Sequence, residues 1–224
     1  MSEPILACEE LKKEFLVGSQ KIEVLKGITH EFYENTINLI YGKSGSGKTT
    51  FLNLLAALDG PTSGKIRFAG QTYDKKRESE LARFRGEHFG FVFQAYNLIE
   101  RVTVEENIKC PSYINGKRID KAHYDYLVER LGIKQLLKKS LVQLSGGEQQ
   151  RVAIARAMIL KPKIVFADEP TGNLDSENTG IITSLFQNLK EEYSTTFIIV
   201  THDEQLIQSV DQRIRIKDGE LYEA

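Results

Sequence analysis

The chain has 224 residues, 41% of them apolar and 27% charged, and Lys plus Arg (30) nearly matches Asp plus Glu (31) for a net charge of −1. At about 150 residues per domain this makes one large domain or two small ones, with enough apolar material for a core, which excludes collagenous, low-complexity and wholly disordered chains. The even charge gives no global basic field for nucleic acid, and Cys8 and Cys110 form no CxxC pair, so both read as small apolar fillers of a reduced protein.

The opening Met-Ser-Glu-Pro lacks the basic patch and apolar run of a signal peptide, and the expectation is a chain without a leader. No apolar stretch approaches the roughly 18 residues that cross a bilayer, so a membrane role would fall to a bound subunit. Residues 5–33 read as short extended segments, with Ile22, Val24, Ile28 and Phe32 alternating as in a half-buried strand. Residues 37–41 are a compact apolar run. The good helix formers of 51–60 follow, with Gly60 and Pro61 as the stop signal. Residues 64–70 predict a strand and turn, 74–87 a charged, solvated helix, and 91–93 a buried strand ending at Gln94. Residues 100–160 are mostly helical, with Tyr124, Leu127, Val128 and Leu131 in phase. Strands at 164–167 and 195–200 then flank a helix over 182–193. Strands alternating with helices predict an α/β fold with a mostly parallel sheet, a β-rich N-terminal edge and a helical insertion over about 95–160, all within one domain spanning 1–224.

Between the apolar run and the first helix stands Gly42-Lys43-Ser44-Gly45-Ser46-Gly47-Lys48-Thr49, followed by Thr50, a complete G-x-x-x-x-G-K-[ST] pattern in the context it requires. Its glycines let the backbone curl so that successive N–H groups point at phosphate oxygens, and the helix behind aims its positive end at the same place. Lys48 reaches for the β- and γ-phosphates and the Thr49 hydroxyl for Mg²⁺. At the end of the strand over 164–167, Asp168 suits Mg²⁺ and Glu169 suits the polarisation of an attacking water as general base. Three histidines (His30, His88 and His123) have no such setting and are expected at the surface.

Residues 144–150, Leu-Ser-Gly-Gly-Glu-Gln-Gln, open a helix, and here the sequence resembles the ATP-binding-cassette (ABC) ATPases, whose diagnostic motif is LSGG[EQ]. The resemblance spans essentially the whole chain. It implies the ABC-ATPase fold of the P-loop NTPases, with an antiparallel N-terminal β subdomain and an inserted α-helical subdomain. Gln94 falls at the family's Q-loop, with Mg²⁺ and water contact implied. Asn173-Leu174-Asp175 falls at its D-loop, and His202, 33 residues past Glu169, at its switch histidine facing the γ-phosphate. Phe15, 33 residues before Lys48, takes the place of the adenine-stacking aromatic, although an aromatic on a β edge equally suits a core. Two departures are Glu34-Asn35-Thr36, where the family usually has Gly-Glu, and Phe15 where Tyr is common. The wording FGFVFQAYNLI, EPTGNLD and LSGGEQQRVAIARA resembles the branch of lipoprotein-release, macrolide-export and antimicrobial-peptide transporters.

The resemblance implies that Ser145, Gly146, Gly147 and Glu148 face the γ-phosphate held by a second copy. With one phosphate loop and one signature per chain, two complete sites then need a homodimer sandwiching two ATP molecules. It also implies an integral membrane permease as partner. Tyr96, Leu98, Ile99 and Val102 help form the groove that receives it, and the location is cytoplasmic, peripheral on the inner face of the membrane. The expected activity is ATP hydrolysis powering export or extraction of a peptide, lipoprotein or drug-like substrate. The alternative is mechanotransmission without transport, as in cell-division relatives.

Overall fold

A computed structural model of the chain describes residues 3–73 and 76–223. Met1 and Ser2 of the opening peptide, and Asp74 and Lys75 of the predicted charged helix, lie outside the described residues. Strands β1 (Leu6–Val17) and β2 (Gln20–Phe32) form an antiparallel hairpin turning at Gly18 and Ser19. Next come β3 (Ile37–Tyr41), helix α1 (Lys48–Leu55), β4 (Ser63–Phe68) and the short β5 (Gln71–Thr72). The first sheet runs β2-β1-β4-β5, all antiparallel. The β subdomain expected at the N-terminus therefore also draws in residues from beyond the phosphate loop.

Helix α2 (Glu78–His88) leads into β6 (Phe89–Phe93). Then follow α3 (Val104–Ile114), α4 (Lys121–Arg130), two 3₁₀ turns, and α5 (Gly146–Met158). Strand β7 (Ile164–Asp168), α6 (Ser176–Tyr193), β8 (Thr196–Thr201), β9 (Gln212–Lys217) and β10 (Glu220–Glu223) complete the fold. The second sheet runs β10-β9-β3-β8-β7-β6, parallel throughout except for β10. Its central strands β3, β8 and β7 are buried on both faces, which is why they read as unbroken apolar runs rather than alternations. Within β8, Phe197 and Ile199 enter the core shared with α3 to α6, while Ile198 and Val200 enter the core shared with α1 and the first sheet. No helix among the described residues is long and apolar enough to cross a membrane.

Several expectations need correction. Helix α1 stops at Leu55, before Gly60. Ala57 takes φ 55°, its N–H donates to Leu54 O and the Leu58 N–H to Asn53 O. This is the two-bond left-handed helix stop usually given to glycine, and alanine hides it from a sequence reading. The exposed carbonyls are met by Arg85, which donates to Ala57 O at 2.6 Å, and by the Tyr73 hydroxyl on Leu55 O. Helix α2 is solvated on its outer face as expected, while Leu81 and Phe84 pack against the core, Phe84 edge-on against Phe68 and Phe89. Strands β9 and β10 were not predicted, although Ile214 and Ile216 alternate in the buried pattern of a strand.

The three histidines expected at the surface are not all there. His88 is half-buried against the Phe68 and Phe84 rings. His30 is buried, with Nε2 on Gln212 Oε1 at 3.1 Å, and His123 is buried among α4, α5 and α6. The His123 Nε2 lies 3.0 Å from Met158 O, so it carries the proton, and Nδ1 accepts from the Tyr193 hydroxyl at 3.1 Å. These partners are remote in sequence, and an imidazole alone gives no sign of them. Both cysteines are free, and burial pushes the Cys8 thiol up to about 12.

Burial, the largest influence, holds the His123 pKa below its ordinary value. The unfolded chain then takes up a proton that the folded one refuses, so stability falls as pH drops through about 6.5. Denaturant titrations of wild type and His123→Gln between pH 5 and 8 check this. The variant is expected to show a shallower slope by up to about 1.4 kcal/mol per pH unit, the linkage limit for one proton. Parallel curves would remove His123 as the source.

Candidate functional site

Parallel pairing puts the carboxyl ends of β3, β8, β7 and β6 on one sheet edge, and the site is built from the loops that leave them. The register is tight: Tyr41 sits opposite Thr201, Val200 opposite Asp168, and Asp168 opposite Phe93. Each strand therefore releases its next residues at the same height. The loop after β3 curls to Gly47, which caps α1 at φ 101° and would bring a Cβ within 2.9 Å of Leu25 Cδ2, a position only glycine fills without strain. Lys48 is buried, and its Nζ donates to Gly42 O at 2.9 Å and Lys43 O at 3.0 Å, which folds the loop over its own ammonium. The Ser46 hydroxyl is buried and has no hydrogen-bond partner among the described residues.

In the first turn of α1, Thr49 Oγ1 donates to Asp168 Oδ1 at 3.2 Å. Burial raises the Asp168 pKa most; the Thr49 bond lowers it and the neighbouring Glu169 charge raises it again. Glu169 holds φ 45°, an uncommon left-handed setting for a non-glycine residue, fixed by its N–H donating to Val200 O at 2.9 Å. Its Oε2 lies 3.0 Å from His202 Nδ1. A carboxylate only accepts, so Nδ1 carries the proton and Nε2 is the nitrogen left for a ligand. The Glu169 carboxyl is largely covered, whereas the imidazole is 68% exposed.

Thr49, Glu169 and His202 share one cleft of about 540 Å³ with Ser44, Gly45, Gly47, Lys48, Thr50 and Gln94, and with Val24 as an unanticipated wall; Asp168 stands behind Thr49 and does not line it. Gly42, Lys43 and Ser46 line the adjoining cavity with Tyr41, Arg215 and Lys217. Asn173, expected only as a member of the D-loop, donates through Nδ2 to Gln94 O at 2.9 Å and holds the start of that loop. Arg215 and Lys217 come from β9, and their only sequence signal is its unrecognised alternation.

Other expected residues stand outside this cleft. Phe15 is 39% exposed, which removes the core alternative, and Lys13 Nζ sits 5.0 Å from its ring centroid. Ser145 caps α5: its hydroxyl accepts from the Glu148 N–H at 3.3 Å while Glu148 Oε2 accepts from the Ser145 N–H at 2.7 Å. The bond from the Ser145 N–H, the largest cause, pulls the Glu148 pKa down. Asp175 caps α6 through the Asn178 N–H at 2.8 Å. The two caps adjoin. A Cβ on Gly147 would fall 2.2 Å from Asn178 Oδ1, so glycine is required here by the chain's own packing as well as by any phosphate. Asn35, at the departure from the family pattern, takes φ 56° and donates its N–H to Thr196 Oγ1 at 3.0 Å, doing the work of the usual glycine.

Residues 25–172 match the ABC transporter family. The lipoprotein-releasing system ATP-binding protein LolD of Buchnera aphidicola is 40% identical over 224 residues, covering 99% of this chain and 98% of that protein. The macrolide export ATP-binding/permease protein MacB of Escherichia coli O157:H7 is also 40% identical, over 97% of this chain but only 34% of its own length. Among solved structures, the dimeric post-hydrolysis state of the ATP-binding cassette MJ0796 bound to ADP and Pi superposes with a TM-score of 0.88 at 33% identity, covering 97% of this chain and 98% of that one.

A carboxylate raised by burial and by a like-charged neighbour is a liability to the fold when ionised. Asp168→Asn is therefore expected to raise the thermal midpoint at pH 7, measured by calorimetry without nucleotide. A lowered midpoint would show that the paired acids are favourably held.

Proposed function

The chain belongs to the ABC transporter family as an ATP-binding ATPase, and on that premise we propose that it works as one half of a homodimer with two composite sites, driving a membrane permease. The observation that carries the proposal is the division of the expected residues. Lys48, Thr49, Gln94, Glu169 and His202 share one cleft, while Ser145 and Gly147 lie outside it, beside the Asp175 cap. A second copy would supply the missing wall.

In this reading the loop N–H groups, Lys48 and the Ser46 hydroxyl bind the β- and γ-phosphates, and Phe15 offers its exposed ring to adenine. Thr49, Asp168 and Gln94 present oxygen donors suited to Mg²⁺, and the existing 3.2 Å contact of Thr49 with Asp168 fits that set. When bound, the ion supplies neutralisation of phosphate charge. Glu169 orients a water and takes its proton as the water oxygen bonds to the γ-phosphorus, the bridging P–O bond breaks, and ADP departs with the electron pair. His202 holds the Glu169 carboxylate through Nδ1–H and turns the far edge of its ring toward the γ-phosphate. Ser145 and the positive end of α5 face the same phosphate from the partner protomer.

For the permease, Tyr96, Leu98 and Val102 are half-buried and Ile99 is 44% exposed, so this stretch offers apolar surface for a docking helix. The roles named for the relatives, lipoprotein release and macrolide export, favour transport over mechanotransmission. A lipoprotein or another amphiphilic cargo is the preferred substrate class, with the subunit peripheral to the membrane through its permease.

Glu169→Gln is expected to keep ATP binding, to accumulate as a dimer on ATP addition, and to lose hydrolysis by about 10²- to 10⁴-fold, the usual worth of a general base. Phosphate release and gel filtration check it, and hydrolysis at the wild-type rate would remove Glu169 from the role. Lys48→Ala, losing charge-assisted bonds, is expected to weaken ATP binding by about 10- to 100-fold in calorimetric titration.

A further inference from the structure

Helix α5 opens with the signature that serves the partner's cleft, yet it is tied at two points to the machinery of its own cleft. Gln150 is fully buried, and its Nε2 donates to Pro170 O at 2.5 Å, the carbonyl directly after Glu169. Arg156 donates to Tyr96 O at 2.8 Å and to Asn97 O at 2.5 Å, in the segment leaving Gln94. Tyr96 and Asn97 take φ 59° and 49°, consecutive left-handed residues that free both carbonyls for one guanidinium. The Tyr96 hydroxyl lies 2.8 Å from where a Gly146 Cβ would stand, so the same segment also touches the first turn of α5.

The two ties are six residues apart, about 9 Å along the axis and about 120° around it. One tie would allow α5 to roll; two on different faces fix both its roll and its position. The Gln150 amide bears a cost that packing alone does not justify, since its buried Oε1 has no hydrogen-bond partner among the described residues. An apolar side chain of equal size would fill the space without that penalty. Arg156 is half-buried, and burial holds its pKa below the ordinary value.

We infer that Gln150 and Arg156 are positioning residues that set the signature offered to the partner according to the state of Glu169 and Gln94 in their own protomer. The inference rests on the composite-site reading. Any shift of the Glu169–Pro170 turn or of the Gln94 segment, as nucleotide enters, is carried by α5 to Ser145 at its N-terminus, so that one cleft reports to the other.

The test uses full-length Glu169→Gln protein, alone and with Arg156→Ala, Arg156→Lys or Gln150→Met. Two quantities are read: the dissociation constant for a fluorescent ATP analogue at protein concentrations too low for dimers, and the ATP concentration giving half-maximal dimer by light scattering. Arg156→Ala is expected to leave the first within about twofold and to raise the second about tenfold, Gln150→Met to follow in the same direction, and Arg156→Lys to recover part of the loss. A protein merely damaged in folding would lose both together, and such a parallel loss, or an unchanged dimerisation midpoint, overturns the assignment. If Glu169→Gln itself forms no dimer with ATP, the composite-site reading fails, and the positioning role with it. A dimer indifferent to Arg156 and Gln150 sinks the positioning role alone.

Discussion

Four parallel strands ending level with one another are the constraint on which the rest depends. The pairing of β3, β8, β7 and β6 places the phosphate loop, His202, the Asp168–Glu169 pair and Gln94 along one edge in that spatial order, although they are scattered from 42 to 202 in sequence. A one-residue slip between β7 and β8 would turn every β7 side chain to the opposite face and carry Asp168 away from Thr49. Register is secured because both faces of the sheet are buried: the alternate residues of β8 belong to different cores, and neither set tolerates exchange. The chemistry is thus held by hydrophobic packing on either side of it.

Loop chemistry then refines what the sheet delivers. Left-handed residues cluster where the chain must reverse sharply at the strand ends, at Gly47, Tyr96, Asn97 and Glu169. Only the first is glycine. Holding the other three there costs on the order of 1 kcal/mol or more each, and identifiable bonds offset it: Val200 O for Glu169, and Arg156 for the Tyr96–Asn97 pair. The signature glycines follow a related logic. Gly147 leaves room for Asn178, so the caps of α5 and α6 lock side by side and present Ser145 and Asp175 as one surface.

The sequence is legible wherever local pattern and global fold coincide. The phosphate loop, the strand over 37–41 and the acid pair at the end of β7 are short-range signals, and the folded chain adopts them as read. What stays hidden depends on contacts between distant residues. Ala57 ends α1 as glycine would, because Tyr73 and Arg85 take up the freed carbonyls. His30 and His123 are buried because Gln212, Tyr193 and Met158 come to meet them. Asn173 gains its place only when β6 and β7 pair and bring Gln94 beside it. None of these partners lies near in the chain, so no periodicity announces them.

The electrostatics of the cleft explain why such a frame is needed. Asp168 and Glu169 are adjacent acids, and Lys48, the nearest candidate counter-charge, donates to the Gly42 and Lys43 carbonyls rather than to either acid. Burial and mutual repulsion push the Asp168 carboxyl up, and the Ser46 hydroxyl is buried without a partner. A flexible site would relax such demands by rotating side chains toward one another, a Lys48–Asp168 pair being the obvious outcome. Here the loop carbonyls hold the ammonium in place, and the Thr49 and His202 bonds orient the carboxylates. The chain therefore leaves its own site incompletely neutralised, and in the proposed function a polyanion at the loop and a cation at the acids complete it. Binding energy from those contacts is not consumed in reorganising side chains, so in the proposed homodimer it is left to draw the two protomers together.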